Sequence, residues 1–180
     1  MALTRINNQA LTNVTSAGLP ADSVVQVKSY TMGDKVTHPS SDGNTENDVM
    51  SGTITPKSSS NDILVMVTIH SGGTDRYLTF YLYRDSTKIG LPSARGNRTP
   101  SFMTNASASD GASGDEYILD TVSKQYLDSP ATTSQITYKI TMNNTANDSR
   151  AFYINATHDD SNNTYTSIGQ CKLTLMEIAR

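Results

Sequence analysis

The chain has 180 residues, a formal net charge of −3, 36% hydrophobic residues and no Trp. Ser, Thr and Asn together supply 60 of the 180 residues, a composition typical of short strands joined by polar loops around a light core. The Lys and Arg residues are scattered, which argues against a nucleic-acid partner. No apolar run approaches the roughly 18 residues of a membrane span. The first residues lack an apolar secretion signal, so we expect folding in the cytoplasm of the producing cell.

The first half of the chain carries one strong strand signal. Alternating side chains predict a strand over Ser23–Tyr30, and Gly33–Asp48 is predicted to be a loop. The strongest strand pattern is Ile63–Ile69, rich in β-branched residues and preceded by a turn cluster. It is apolar on both faces, because Leu64 and Met66 alternate with the branched residues.

The next predicted strand, Arg76–Arg84, has two distinct faces. Its inner face is aliphatic and aromatic, whereas the opposite face carries a tyrosine row: Tyr77, Tyr81 and Tyr83. That row could face solvent, contact another subunit or form a ligand stripe. Residues 91–114 show no regular alternation of apolar and polar side chains, which predicts a long surface loop or two short strands around Phe102 and Met103.

The second half returns to strand patterns. Short ordered segments are expected at Tyr117–Leu119 and from Tyr126, and a cleanly alternating strand at Ile136–Met142. Another strand is expected around Phe152 and Ile154. The total of about seven to nine short strands predicts an all-β fold, an antiparallel β-sandwich with Greek-key or jelly-roll connections.

The last predicted strand, Cys171–Arg180, is also apolar on both faces. Such a strand lies either in a sheet covered on both sides by its own chain, or in one whose second face meets a neighbouring subunit. The light core favours the neighbouring subunit. We therefore predict a set of core or trimer-interface residues in the two doubly apolar strands: Leu64, Met66, Leu173, Leu175, Met176 and Ile178.

Four segments resemble blocks of short fibre and other virion structural proteins of marine tailed phages, in the same order along the chain. They are Leu3–Leu11 with Gly18–Gln26, Thr53–Met66, Tyr126–Lys139 and Leu173–Ile178. The resemblance implies a virion-surface protein, a homotrimer of jelly-roll subunits similar in outline to tumour-necrosis-factor-like or C1q-like heads. It implies contact with a host surface glycan or receptor through loops.

The resemblance also divides the chain into an extended virion-attachment arm, residues 1–22, and a sandwich domain, residues 23–180. The arm is polar, Asn-rich and interrupted by Gly18 and Pro20. It nevertheless carries apolar residues that suit anchors on other virion proteins of the capsid or tail: Ile6, Leu11, Val14 and Leu19. An ordinary frayed terminus is the alternative.

Two other functions stay open from the sequence. One is a capsid cement or decoration protein without a host ligand, and the other is a small carbohydrate-binding module that uses the tyrosine row. Chemistry-bearing residues are sparse: His38, His70 and His158 lack metal-ligand spacing, and the lone Cys171 sits in an apolar strand. We expect no catalytic residues, no metal and no cofactor.

Overall fold

Two antiparallel sheets form the fold in a computed structural model that describes residues 19–39, 45–73, 78–105, 117–144 and 151–180. Within these ranges the chain forms eleven strands and no α-helix. The strands are β1 (Val24–Met32), β2 (Val36–His38), β3 (Asn47–Ile54), β4 (Asp62–Gly73), β5 (Leu78–Arg84), β6 (Thr87–Ile89), β7 (Met103–Asn105), β8 (Asp120–Asp128), β9 (Ile136–Asn144), β10 (Phe152–Ile154) and β11 (Cys171–Ile178).

The connections between the sheets are those of a jelly roll. The first sheet runs β1-β11-β4-β8, and the short strands β10 and β2 continue it from the far end of β4. The second sheet runs β3-β9-β5, with β6 and β7 both paired to β5. If the short strands β2, β6 and β10 are left out and the remaining eight strands are renumbered in chain order, the order is 1-8-3-6 in one sheet and 2-7-4-5 in the other. Two Greek keys wound in this way define a jelly roll, so the predicted fold class is confirmed.

The core lies between the two sheets and is built by alternation along the strands. In β4 the inward side chains Ile63, Val65, Val67 and Ile69 are at most 1% exposed. Leu173 and Leu175 of β11 join them, and both are fully buried. The second sheet supplies the opposite wall of the core, with Leu78, Phe80, Leu82, Ile136, Tyr138, Ile140 and Met142. Full burial of each large apolar side chain is worth about 1.5–3 kcal/mol.

Three parts of the fold differ from the predicted elements. The segment expected to be a loop contains β2, and β3 begins inside it at Asn47. Strand β8 runs without interruption over Asp120–Asp128, whereas order was expected only at Tyr117–Leu119, before this strand, and from Tyr126. The described residues therefore contain more strands than the seven to nine predicted. In β3 and β8 an inward position is occupied by Gly or Lys, and β2 is only three residues long, so a hydrophobicity pattern does not reveal their alternation.

Candidate functional site

An apolar row crosses four adjacent strands on the outer face of the first sheet. Val27 of β1 is paired with Met176 of β11, Met176 with Leu64 of β4, and Leu64 with Leu127 of β8. Directly paired residues of antiparallel strands project from the same face of a sheet. With strands about 4.8 Å apart, the row is roughly 14 Å wide.

Three further apolar side chains extend this row into a patch. Ile178 is paired with Val24 on one side of the row, and Met66 follows Leu64 two positions along β4. We call the seven residues the apolar face: Val24, Val27, Leu64, Met66, Leu127, Met176 and Ile178. Several of them are strongly exposed, Val24 by 51%, Val27 by 48% and Leu127 by 51%.

The apolar face occupies only one end of the sheet. Farther along the same strands the outward positions are polar, as in the paired residues Thr31, Lys172, Thr68 and Ser123. The apolar end is the one where the chain enters the sandwich, because the Asp22 amide donates to the Ala179 carbonyl at 2.8 Å. Contiguous exposed apolar surface is a common feature of interaction sites, so the apolar face is the candidate site.

The predicted interface residues divide between the two faces of the sheet. Leu173 and Leu175 belong to the core, whereas Leu64, Met66, Met176 and Ile178 point outward into the apolar face. Sequence reasoning missed three members of that face: Val24, Val27 and Leu127. Their own strands have polar neighbours, and only the register of the sheet brings them beside the doubly apolar strands.

The predicted attachment residues lie mostly outside the described ranges. Ile6, Leu11 and Val14 fall in residues 1–18, which the structure does not describe, and Leu19 is half-buried. The last residue of the predicted arm, Asp22, is bonded to the sandwich through its amide and the Ala179 carbonyl, and beside this bond Ala179 donates its amide to the Ser23 carbonyl at 2.9 Å.

Tyr81 and Tyr83 of the tyrosine row lie on the outer face of the second sheet, next to charged groups. Tyr77 lies outside the described residues, and Tyr81 is only 5% exposed, with the Lys88 ammonium 3.7 Å from its ring centroid. The Tyr83 hydroxyl donates to Glu46 at 2.6 Å, and Glu46 also accepts from Lys88 and from Thr141. Tyr81 therefore presents no open ring on which a sugar could stack.

These contacts shift the pKa values of Glu46 and Tyr83. Burial alone would raise the pKa of Glu46, but the hydrogen bonds from Lys88, Tyr83 and Thr141 outweigh it and hold the pKa below its ordinary value. Burial, followed by the bond to the Glu46 carboxylate, raises the pKa of Tyr83 far above its ordinary value. The Lys88 and Glu46 charges compensate each other, which is typical of a structural cluster.

The residues considered for chemistry are dispersed or buried. Cys171 is fully buried, and burial raises the pKa of its thiol to about 11, which keeps it protonated and unreactive. In the part of the chain that the structure describes, no group of three or more His, Cys, Asp or Glu side chains is arranged to hold a metal ion. The described ranges also contain no helix long and apolar enough to cross a membrane.

Comparison with known proteins identifies no family. No protein-family profile matches the chain, and no curated protein matches it. Among solved structures, the chain is similar to a chain in the structure of infectious bursal disease virus Gx strain, with a TM-score of 0.41 and 10% sequence identity. That match covers 89% of this chain, which spans 38% of the viral chain.

Proposed function

We propose that this protein is a structural component of a phage virion, a short homotrimeric fibre or knob on the particle surface. The observation that supports the proposal most directly is the apolar face, which a second copy of the chain would cover. The jelly-roll order of the strands agrees with the subunit fold that the resemblance to short phage fibres implies.

The energetics favour covering this face. Its seven side chains are partly exposed, and burying the remaining surface of each would contribute about 1 kcal/mol. The total of several kcal/mol per subunit offsets a large share of the roughly 4–15 kcal/mol that association costs in translational and rotational freedom. Contacts around the rim would supply the rest.

In this proposal two parts of the protein have different tasks. Residues 1–22 attach the trimer to capsid or tail proteins, and the loops of the jelly roll contact the host envelope. A decoration protein that only reinforces the capsid would use the same trimer, so the two roles are separated by particle and adsorption measurements rather than by the fold.

The trimer is tested by light scattering of the purified protein at micromolar concentration. We expect a single species with three times the 19.4 kDa mass of the chain. A monodisperse monomer would contradict the trimer and remove the role assigned to the apolar face.

The virion location is tested separately on purified particles. We expect an antibody against the sandwich domain to label particles, and deletion of residues 1–22 to leave the trimer intact while abolishing the labelling. Loss of host adsorption by particles that lack the protein, without capsid leakage, supports the fibre. Leakage with normal adsorption would contradict host contact and indicate a decoration protein. Particles without label would overturn the virion role itself.

A further inference from the structure

A polar cleft of about 240 Å³ opens between the edge strands β1 and β3, on the opposite side of β1 from the apolar face. Its lining is rich in hydrogen-bonding side chains and includes Gln26, Lys28, Tyr30, Thr55, Lys57 and Gln135. Thr53 and Ile54 of β3 also line the cleft, and Thr55, Lys57 and Gln135 come from the adjoining turns.

The polar character of this cleft breaks the pattern of the sheet. Lys28 is paired with Leu175, and Gln26 with Glu177, so both β1 residues project from the core side of the first sheet. At the equivalent positions Ile63 and Val65 of β4 and Leu175 of β11 are buried aliphatic side chains, whereas Glu177 of β11 is a buried carboxylate. Tyr30, two positions farther along β1, crosses to β3 and donates its hydroxyl to the Thr53 carbonyl at 2.5 Å. It thereby separates the polar cleft from the apolar core.

The carboxylate beside the cleft is already satisfied. Glu177 is fully buried and accepts from the Lys57 amide at 2.7 Å, from the Asn61 side chain at 2.7 Å and from the Gln26 side chain at 2.6 Å. The Gln26 amide group also donates to the Thr55 carbonyl at 2.8 Å. This network fixes the wall of the cleft and places one negative charge behind it.

The cleft also carries two lysine side chains, Lys28 and Lys57. Among the described residues, no carboxylate lies within ion-pairing distance of the Lys28 or Lys57 ammonium, although the chain carries a net charge of −3. Lys35, Lys88, Lys139 and two arginines are paired with carboxylates, whereas Lys172 on the outer face of β11 also has no carboxylate partner among the described residues. Two ammonium groups on one cleft offer donors and positive charge in excess of the single buried carboxylate.

We propose that this cleft binds an anionic oxygen group, a sugar carboxylate or a phosphate, carried on a hydroxyl-rich surface polymer. Lys28 and Lys57 bind the anion, while the Gln135 amide and the Thr55 hydroxyl bind neighbouring hydroxyl groups. The volume is below the roughly 300–1,000 Å³ of sites for drug-sized ligands, so the cleft suits a single unit of a longer chain. The inference rests on the proposed function for its host-envelope setting, whereas binding itself does not require the trimer.

The test is calorimetric titration of the full-length protein with three probes: trigalacturonic acid, neutral maltotriose and inorganic phosphate. We expect at least one anionic probe to bind. Its affinity should fall roughly fivefold in Lys28→Gln and in Lys57→Gln, because a fivefold loss is the upper end of what one exposed ion pair contributes. Binding should weaken further as salt is raised. Lys172→Gln is the matched control, because Lys172 is exposed on the outer face of β11.

Each outcome decides the proposal. Binding of trigalacturonic acid with the expected lysine dependence supports a sugar-acid ligand, and the same dependence for phosphate alone supports a phosphate-bearing one. Absence of binding by both anions, equal binding of maltotriose, or an equal loss in Lys172→Gln would overturn it. Light scattering in the same buffer separates the two proposals, since a monomer that binds the anion contradicts only the trimer.

Discussion

At the scale of single residues, one buried carboxylate joins the two sheets. Asp128, in β8 of the first sheet, accepts from the Arg84 guanidinium at 3.0 Å and from the Tyr138 hydroxyl at 2.7 Å. Arg84 and Tyr138 belong to β5 and β9 of the second sheet. A buried charge is tolerated only when it is paired and hydrogen-bonded, so these bonds fix the spacing of the sheets at one end of the sandwich.

Replacement of Tyr138 by Phe should lower the free energy of unfolding by about 1–3 kcal/mol at neutral pH, because Asp128 loses a buried donor. Burial and the bond to Asp128 raise the pKa of Tyr138 far above its unfolded value. The stabilisation is therefore present below about pH 10 and is lost as the pH rises above that value. Urea denaturation at pH 7 and from pH 9 to 11 should show a flatter alkaline decline in Y138F.

The matched control for this prediction is Tyr165→Phe, because Tyr165 is 72% exposed. That variant should match the parent protein in stability. An alkaline decline as steep in Y138F as in the parent would show that Tyr138 makes no contribution to it. The alternating pattern of Ile136–Met142 agrees with the inward direction of Tyr138, but it could not show the bond to Asp128, which depends on the packing of two different sheets.

At the scale of elements, β1 and β3 fit together through one glycine. The Tyr30 ring lies against Gly52 of β3 so closely that a Cβ atom there would be 2.2 Å from the ring. Gly52→Ala should therefore displace Tyr30 and destabilise the fold by about 1–3 kcal/mol, measured as a fall in thermal midpoint. Gly33→Ala is the control, since its Cβ would meet only the Gln170 side chain at 3.8 Å. Equal midpoints for the two variants would contradict this packing.

The same strands show which elements a sequence can predict. Strands β4, β9 and β11 carry runs of large apolar residues, and the pattern found β9 and β11 to within two residues, whereas β4 continues beyond the predicted Ile63–Ile69 to Gly73. In β3 the inward position between Met50 and Ile54 is Gly52, whose space is filled by a residue from another strand. In β8 the inward Lys124 lies over the Phe102 ring, 4.7 Å from its centroid. Tertiary packing completes both strands, so local pattern could not reveal them.

At the scale of the whole molecule, the apolar face is a product of register. The doubly apolar strands supplied four of its residues from the sequence alone, whereas Val24, Val27 and Leu127 join through pairing with strands far away in the chain. The polar cleft could not be predicted from the sequence either. Gln26 and Lys28 have the polar character of outward-facing strand residues, and only the pairing of β1 with β11 shows that they lie on the core side of the sheet. Both surfaces share β1, one on each side of it.

If subunits associate through the apolar face, a charge within it should dissociate the trimer without unfolding the subunit. Leu127→Asp and Val27→Asp lie on different strands and are each about half exposed, so we expect a change in subunit stability of about 0.5 kcal/mol or less. Light scattering should give the mass of one chain, because a carboxylate in a closed apolar contact carries a desolvation cost that no partner offsets. Ile168→Asp, at a position 85% exposed outside the face, should remain trimeric. Circular dichroism separates dissociation from unfolding. If both variants are folded and still trimeric, the subunit contact lies elsewhere on the jelly roll.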